Sequence, residues 1–176
     1  MDLRGILRYT GSALVAALIA CGLWLMLRRL HGRRDFTRRD GLRLLLAGYL
    51  AAVAQIIALR IGLQPVRWLG GLEKLKPVPL RTTLETWKMG AWPFPYNLLG
   101  NLGWFVPLGA LLAWMKPKWR PWRALAAGAL LSLTLEIAQL LLGTGCPDVD
   151  DVLLNALGAL AGFALIRRLA RIRLKI

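Results

Sequence analysis

The sequence predicts an all-α integral membrane protein, a helical bundle of about five transmembrane helices with an additional outer interfacial segment. Of the 176 residues, 57% are hydrophobic and the mean hydropathy is +0.51, which leaves too little polar surface for a soluble domain. Apolar runs of membrane length recur, since a helix needs roughly 20 residues to cross about 30 Å. The formal charge is +15, but Lys and Arg lie in blocks between these runs, so we expect no nucleic-acid partner.

The five predicted spans cover residues 5–27, 42–63, 96–115, 122–142 and 151–166. The last span is short, and residues 167–170 can extend it. We expect three regions along the chain. Residues 1–63 form two N-terminal transmembrane helices joined by a basic cytoplasmic loop, residues 64–95 form an extracytoplasmic interfacial segment, and residues 96–176 form a three-helix core with a basic cytoplasmic tail.

Residues 64–95, between the second and third spans, are predicted to be neither a transmembrane span nor a plain loop. Its Trp68, Trp87 and Trp92 suit the headgroup level, where indole rings are enriched. Prolines divide it into pieces, and residues 80–90 predict a short helix lying in the interface.

The basic residues predict the orientation of the bundle. Residues 28–43 contain seven Arg, residues 116–123 contain four Lys or Arg, and residues 167–175 contain five, whereas residues 143–150 contain none. Since Lys and Arg favour cytoplasmic loops, we predict that the N-terminus lies outside and the C-terminus lies in the cytoplasm.

Polar side chains recur at the outer ends of the last three predicted spans. Polar groups are costly in hydrocarbon and are rare there without a partner or a purpose. The i, i+4 and i, i+3 spacings put each pair on one helix face. We therefore expect a site in which Asn101, Glu136, Asp151 and Asn155 face one another. The candidate residues are Asn97, Asn101, Glu136, Gln139, Asp148, Asp150, Asp151 and Asn155.

The acidic run Asp148-Val-Asp-Asp151 has three interpretations. It is a helix N-cap with acidic first-turn residues, a divalent-cation site, or part of a general acid/base pair of Glu136 with one aspartate, for which we choose Asp151. A structural alternative remains open for each side chain, because Glu136 can be hydrogen-bonded to a neighbouring amide and asparagines often join membrane helices. The identity of any metal or cofactor stays open.

Three motifs in order resemble the VanZ-like family. Asn97-Leu-Leu-Gly-Asn101, followed by Phe105-Val-Pro-Leu-Gly109, is similar to the first family signature. Leu135-Glu136-Ile-Ala-Gln139 is similar to its Glu-x-x-Gln helix, and Asp148-Val-Asp-Asp-Val-Leu-Leu-Asn155-Ala-Leu-Gly158 is similar to its closing signature. The resemblance covers roughly residues 76–166.

The sequence departs from the family pattern at two places. The family often has Asn shortly before a proline step that resembles Val78-Pro79-Leu80, and this chain has Lys76 or its neighbours there. The family often has Arg before the aspartates, where Gly145 and Cys146 stand. If that Arg binds an anionic ligand, the ligand of this protein differs.

The resemblance implies a small α-helical bundle in the bacterial cytoplasmic membrane with its function at the envelope side. The family takes its name from a protein associated with resistance to teicoplanin. We predict an outer-leaflet polar pocket that engages an amphiphilic envelope ligand: a lipid-linked intermediate, a phospholipid headgroup or a lipoglycopeptide such as teicoplanin. Whether it acts on that ligand stays open. The alternatives are a non-catalytic partner or scaffold subunit, and a small proton-coupled transporter with Glu136 as the proton carrier.

Overall fold

The computed structural model describes residues 3–32, 35–59, 67–70, 72–89 and 93–173. Within these ranges the chain is helical and has no strand. A short 3₁₀ turn, Leu72–Lys74, precedes an isolated parallel bridge between Lys76 and Asp148. The α-helices are α1 (Leu3–Leu30), α2 (Arg38–Val53), α3 (Arg81–Lys88), α4 (Pro93–Met115), α5 (Pro121–Leu142) and α6 (Val149–Arg173), and α2 continues as a π-helix over Ala54–Leu59.

Within the described part of the chain, five helices are long and apolar enough to cross a membrane, which confirms the all-α membrane bundle. They cover Thr10–Leu30, Arg38–Leu59, Asn97–Met115, Pro121–Leu142 and Val149–Ile172. The second predicted span runs on to residue 63, and residues 60–63 lie outside the described part. The last helix is longer than predicted, because Leu, Ala and Arg are strong helix formers and the arginines can direct their charged ends to the interface.

Helices α1 and α2 form a hairpin. Arg28 near the end of α1 forms a 3.3 Å ion pair with Asp40 in the first turn of α2, and both side chains are less than a tenth exposed. Thr37 and Asp40 form a reciprocal capping box that begins α2. Farther along the hairpin, Ala17 and Cys21 of α1 lie against Gly48 of α2. Only 6% of the most apolar stretch of α1 is nevertheless buried in the protein.

The other three long helices form a tight core. Phe105 of α4 and Phe163 of α6 are fully buried. The backbones of these two helices touch, because a Cβ atom added at Gly158 or Gly162 would overlap the carbonyl oxygens of Leu102 and Val106 respectively. Helix α5 packs on an adjacent face of α6 through Gly128, where an added Cβ would lie 2.6 Å from the Cβ of Ala159. Small residues therefore set the spacing of the core helices.

The interfacial segment contains α3, which lies within the short helix predicted over residues 80–90. Leu84 and Trp87 project from one face and are 57% and 66% exposed, whereas Thr82 on the opposite face is buried. The Arg81 guanidinium hydrogen-bonds the Glu85 carboxyl at 2.9 Å and lowers its pKa below the usual range. Trp92 lies outside the described residues.

Candidate functional site

All eight predicted residues lie at one end of the bundle, where α4 and α6 begin and where α5 and the π-helical extension of α2 finish. We call this the polar end. The opposite end, where α1, α4 and α6 finish and α2 and α5 begin, carries the Arg and Lys blocks and is called the basic end.

The three aspartates of the acidic run contact three different parts of the protein. Asp148 accepts a 2.9 Å hydrogen bond from the backbone N–H of Asp150, so it caps the start of α6. Its other oxygen lies 3.8 Å from Nζ of Lys76. Asp151 accepts a 2.5 Å hydrogen bond from Nδ2 of Asn101 and so joins α6 to α4. The N-cap interpretation therefore describes Asp148, while its neighbours project elsewhere.

Asp150 holds α3 in place. Its carboxylate accepts hydrogen bonds from the backbone N–H of Leu80, the backbone N–H of Thr83 at 2.8 Å and the Thr83 hydroxyl at 3.0 Å. Leu80 precedes α3 in the left-handed conformation, with φ of 62°, and its own side chain cannot cap the helix. Asp150 is 1% exposed and supplies the missing cap from another helix.

Glu136 lies beside a small pocket between α5, α6 and the segment around Lys76. Its Oε2 accepts a 3.0 Å hydrogen bond from the backbone N–H of Asp148, and only 6% of the residue is exposed. The pocket has a volume of about 150 Å³. Lys76, Glu136 and Asp148 supply its charged groups, and the other lining residues are apolar: Leu75, Pro77, Leu133, Ile137, Leu140, Pro147, Val149 and Val152.

Gln139 and Thr144 bind the π-helical turn at the end of α2. Nε2 of Gln139 donates a 2.8 Å hydrogen bond to the carbonyl of Ile57, and the Thr144 hydroxyl donates to the carbonyl of Ala58. Gly145 lies against Gln139, where an added Cβ would overlap the amide oxygen. Gln139 thus joins the hairpin to the core, and the sequence gives no direct indication of this π-helix.

The asparagines are placed differently from one another. Asn155 is 2% exposed and donates a 2.8 Å hydrogen bond from Nδ2 to the hydroxyl of Ser132 on α5. Its Oδ1 is buried and has no hydrogen-bond partner among the described residues. Asn97 is half-buried, one turn before Asn101, and no hydrogen bond joins it to the other predicted residues within the described ranges.

Of the four side chains expected to face one another, Asn101 and Asp151 meet directly. Glu136 and Asn155 hydrogen-bond other groups of the same end. The acid that lines the pocket with Glu136 is Asp148, and the acid/base role of Glu136 and Asp151 stays a prediction. Among the described residues, no three His, Cys, Asp or Glu side chains converge to hold a metal ion.

The chain matches a known protein family over most of its length. The model of the VanZ/LLP1 family matches residues 15–171. The chain belongs to the VanZ/LLP1 family. This match includes the second half of α1 and all of α2 as well as α4 and α5 and nearly all of α6, so it is wider than the region delimited by the motifs. No curated protein and no solved structure matches the chain.

The polar residues of this VanZ/LLP1 protein that sequence reasoning missed at this end include Lys76 and Gln55. Lys76 forms the bridge to Asp148 and is a charged group of the pocket. Its signal was the departure from the family pattern at that position. Gln55 is 5% exposed within the π-helix and stands in an apolar span, which is itself a signal.

Proposed function

We propose that this VanZ/LLP1-family membrane protein binds an amphiphilic envelope molecule in the pocket lined by Lys76, Glu136 and Asp148. The polar end faces the outside of the bacterial cytoplasmic membrane in this proposal, because the Arg and Lys blocks lie at the other end. The ligand is a lipid-linked intermediate, a phospholipid headgroup or a lipoglycopeptide of the teicoplanin type.

The observation that carries the proposal is the composition of the pocket wall. Three residues with charged side chains, Lys76, Glu136 and Asp148, line a cavity whose other lining residues are apolar. Leu133 and Ile137 line it and are 48% and 47% exposed on the outer surface of α5, so the apolar wall continues onto the surface that faces lipid. A molecule with a polar headgroup and an apolar tail satisfies both parts, and it can enter sideways from the bilayer.

The charged groups favour a headgroup with hydrogen-bond donors and an anionic group. Carboxyl oxygens of Glu136 and Asp148 accept hydrogen bonds from hydroxyl or amine groups, whereas the Lys76 ammonium donates to a phosphate or carboxylate. Because Lys76 is 3.8 Å from Asp148, which is longer than a good hydrogen bond, a ligand phosphate can replace this contact at low cost.

The test is binding of three probes to the purified full chain in detergent: phosphatidylethanolamine, a polyprenyl-pyrophosphate sugar, and teicoplanin. Glu136→Gln keeps the shape and the oxygen that accepts from the N–H of Asp148. We expect the parent to bind at least one probe and Glu136→Gln to bind it about tenfold more weakly, since a hydrogen bond to a charged group contributes about 1.5–3 kcal/mol.

The matched control is Glu85→Gln, which removes an exposed acid of α3. It should bind like the parent, and all variants should keep the parental melting temperature. Asp151→Asn tests the acid/base role. If this variant still binds the probe but no longer converts it to product, Asp151 takes part in a reaction. Failure of all three probes to bind, or equal binding by the parent and Glu136→Gln, would falsify the proposal.

A second candidate is a non-catalytic partner subunit whose polar residues hold the helices together. The interhelical hydrogen bonds of Asn101, Gln139 and Asn155 support it. In that case Glu136→Gln lowers the melting temperature instead of the affinity for a probe. The two results separate a ligand pocket from a purely structural cluster.

A further inference from the structure

A second pocket lies at the basic end, between the first turns of α2 and the last turn of α4. Its volume is about 380 Å³. Three cations line it, Arg39 and Arg43 from α2 and Lys116 from the loop after α4. The apolar part of the lining includes Leu42, Trp114 and Met115.

Positive charge is in excess at this pocket, because none of the described residues that line it is Asp or Glu. The carboxylate closest in sequence is Asp40, whose Oδ1 lies 3.6 Å from Nη1 of Arg43. Asp40 is 5% exposed and is shared with Arg28 and with Thr37. One buried and shared carboxylate does not neutralise three cations, so the pocket attracts an anion.

The pocket lies at the depth where lipid headgroups meet the protein. Trp114 is in the last turn of the membrane-spanning helix α4 and is 47% exposed, which is the usual place of an indole at the interface. The guanidinium groups of Arg39 and Arg43 can each form two parallel hydrogen bonds with a phosphate. The apolar surfaces of Leu42 and Trp114 continue toward the bilayer, where acyl chains lie.

We propose that this pocket binds the phosphate headgroup of an anionic phospholipid in the membrane leaflet at the basic end. The charge selects an anionic lipid over a zwitterionic one, and the apolar wall selects a lipid over a soluble phosphate. The site is separate from the pocket at Glu136 and lies at the opposite end of the bundle, so it does not depend on the proposed function.

The experiment measures lipid retention by native mass spectrometry of the purified full chain. The protein is equilibrated with phosphatidylglycerol or with phosphatidylcholine. The triple variant Arg39→Gln, Arg43→Gln and Lys116→Gln removes the three cations. The matched control replaces Arg120, Arg168 and Arg171 with Gln, which removes the same charge from exposed positions at the same end and outside the pocket.

The expected result is that the parent and the control retain phosphatidylglycerol over phosphatidylcholine, and that the pocket variant loses this preference by about tenfold or more. Equal loss in the control variant means that the charge of the whole end attracts lipid, and it overturns the proposed pocket. Displacement of phosphatidylglycerol by an equal concentration of inorganic phosphate also overturns it, because the site then selects the anion alone. A melting temperature like that of the parent shows that the pocket variant remains folded.

Discussion

Helices α1 and α6 are similarly apolar, with hydropathies of 2.0 and 1.7, yet they pack very differently. In α6, 44% of the most apolar stretch is buried in the protein, against 6% in α1. The difference lies in the small and polar residues. Gly158 and Gly162 of α6 bring it into backbone contact with α4. At Gly11 and Gly22 of α1, no neighbouring atom of the described residues lies within 4 Å of an added Cβ. Apolarity places a helix in the membrane, and small or polar residues decide whether it packs in the core.

The largest expected effect comes from adding one methyl group to a glycine of α6, and the same change on α1 is the comparison. Gly162→Ala places a Cβ atom onto the backbone carbonyl of Val106, which cannot move as a side chain can. We expect it to lower the free energy of unfolding by about 3 kcal/mol or more. Gly22→Ala on α1 meets open space and should raise stability by about 0.4–1 kcal/mol, because Ala favours the helix over Gly. Thermal unfolding in detergent measures both, and equal effects would contradict the difference between the regions.

A smaller effect is expected from the ion pair that holds the hairpin together. Arg28→Gln removes the partner of Asp40 between α1 and α2. We expect a loss of about 1–2 kcal/mol, which lies between the values of exposed and buried ion pairs. Hydrogen exchange should increase around residues 24–44 and remain unchanged in α6. Arg29→Gln, an exposed neighbour, is the control, and increased exchange in α6 would mean that the hairpin and the core unfold together.

The smallest effect is expected from one interhelical hydrogen bond in the core. Ser132→Ala removes the acceptor of Asn155, and such bonds contribute about 0.6 kcal/mol on average in membrane proteins. Thr134→Ala is the matched control, because the Thr134 hydroxyl bonds a carbonyl of its own helix. A loss in Ser132→Ala no larger than in the control would show that glycine packing alone holds α5 on α6.

The spans and the polar end follow from the sequence, because apolar length and the position of polar residues are visible in one dimension. The partners of the acidic run do not follow from it. Asp148, Asp150 and Asp151 lie in one helical turn, where successive side chains point in different directions, so each contacts a different element. The partners Lys76 and Thr83 come from a segment whose path the sequence does not predict. The π-helical turn that receives Gln139 is likewise set by tertiary contacts.

The cap that Asp150 supplies to α3 has a consequence for the synthesis of the protein. The carboxylate comes 67 residues after Thr83, the residue whose N–H it accepts from. An eight-residue helix is marginal by itself, and α3 leaves the ribosome before α4, α5 and α6. Until the last helix is inserted, the first turn of α3 lacks the cap that Asp150 supplies. The backbone N–H of Leu80 also lacks the hydrogen bond that stabilises its left-handed conformation. The interfacial segment therefore reaches its final position last, although it is made in the middle of the chain.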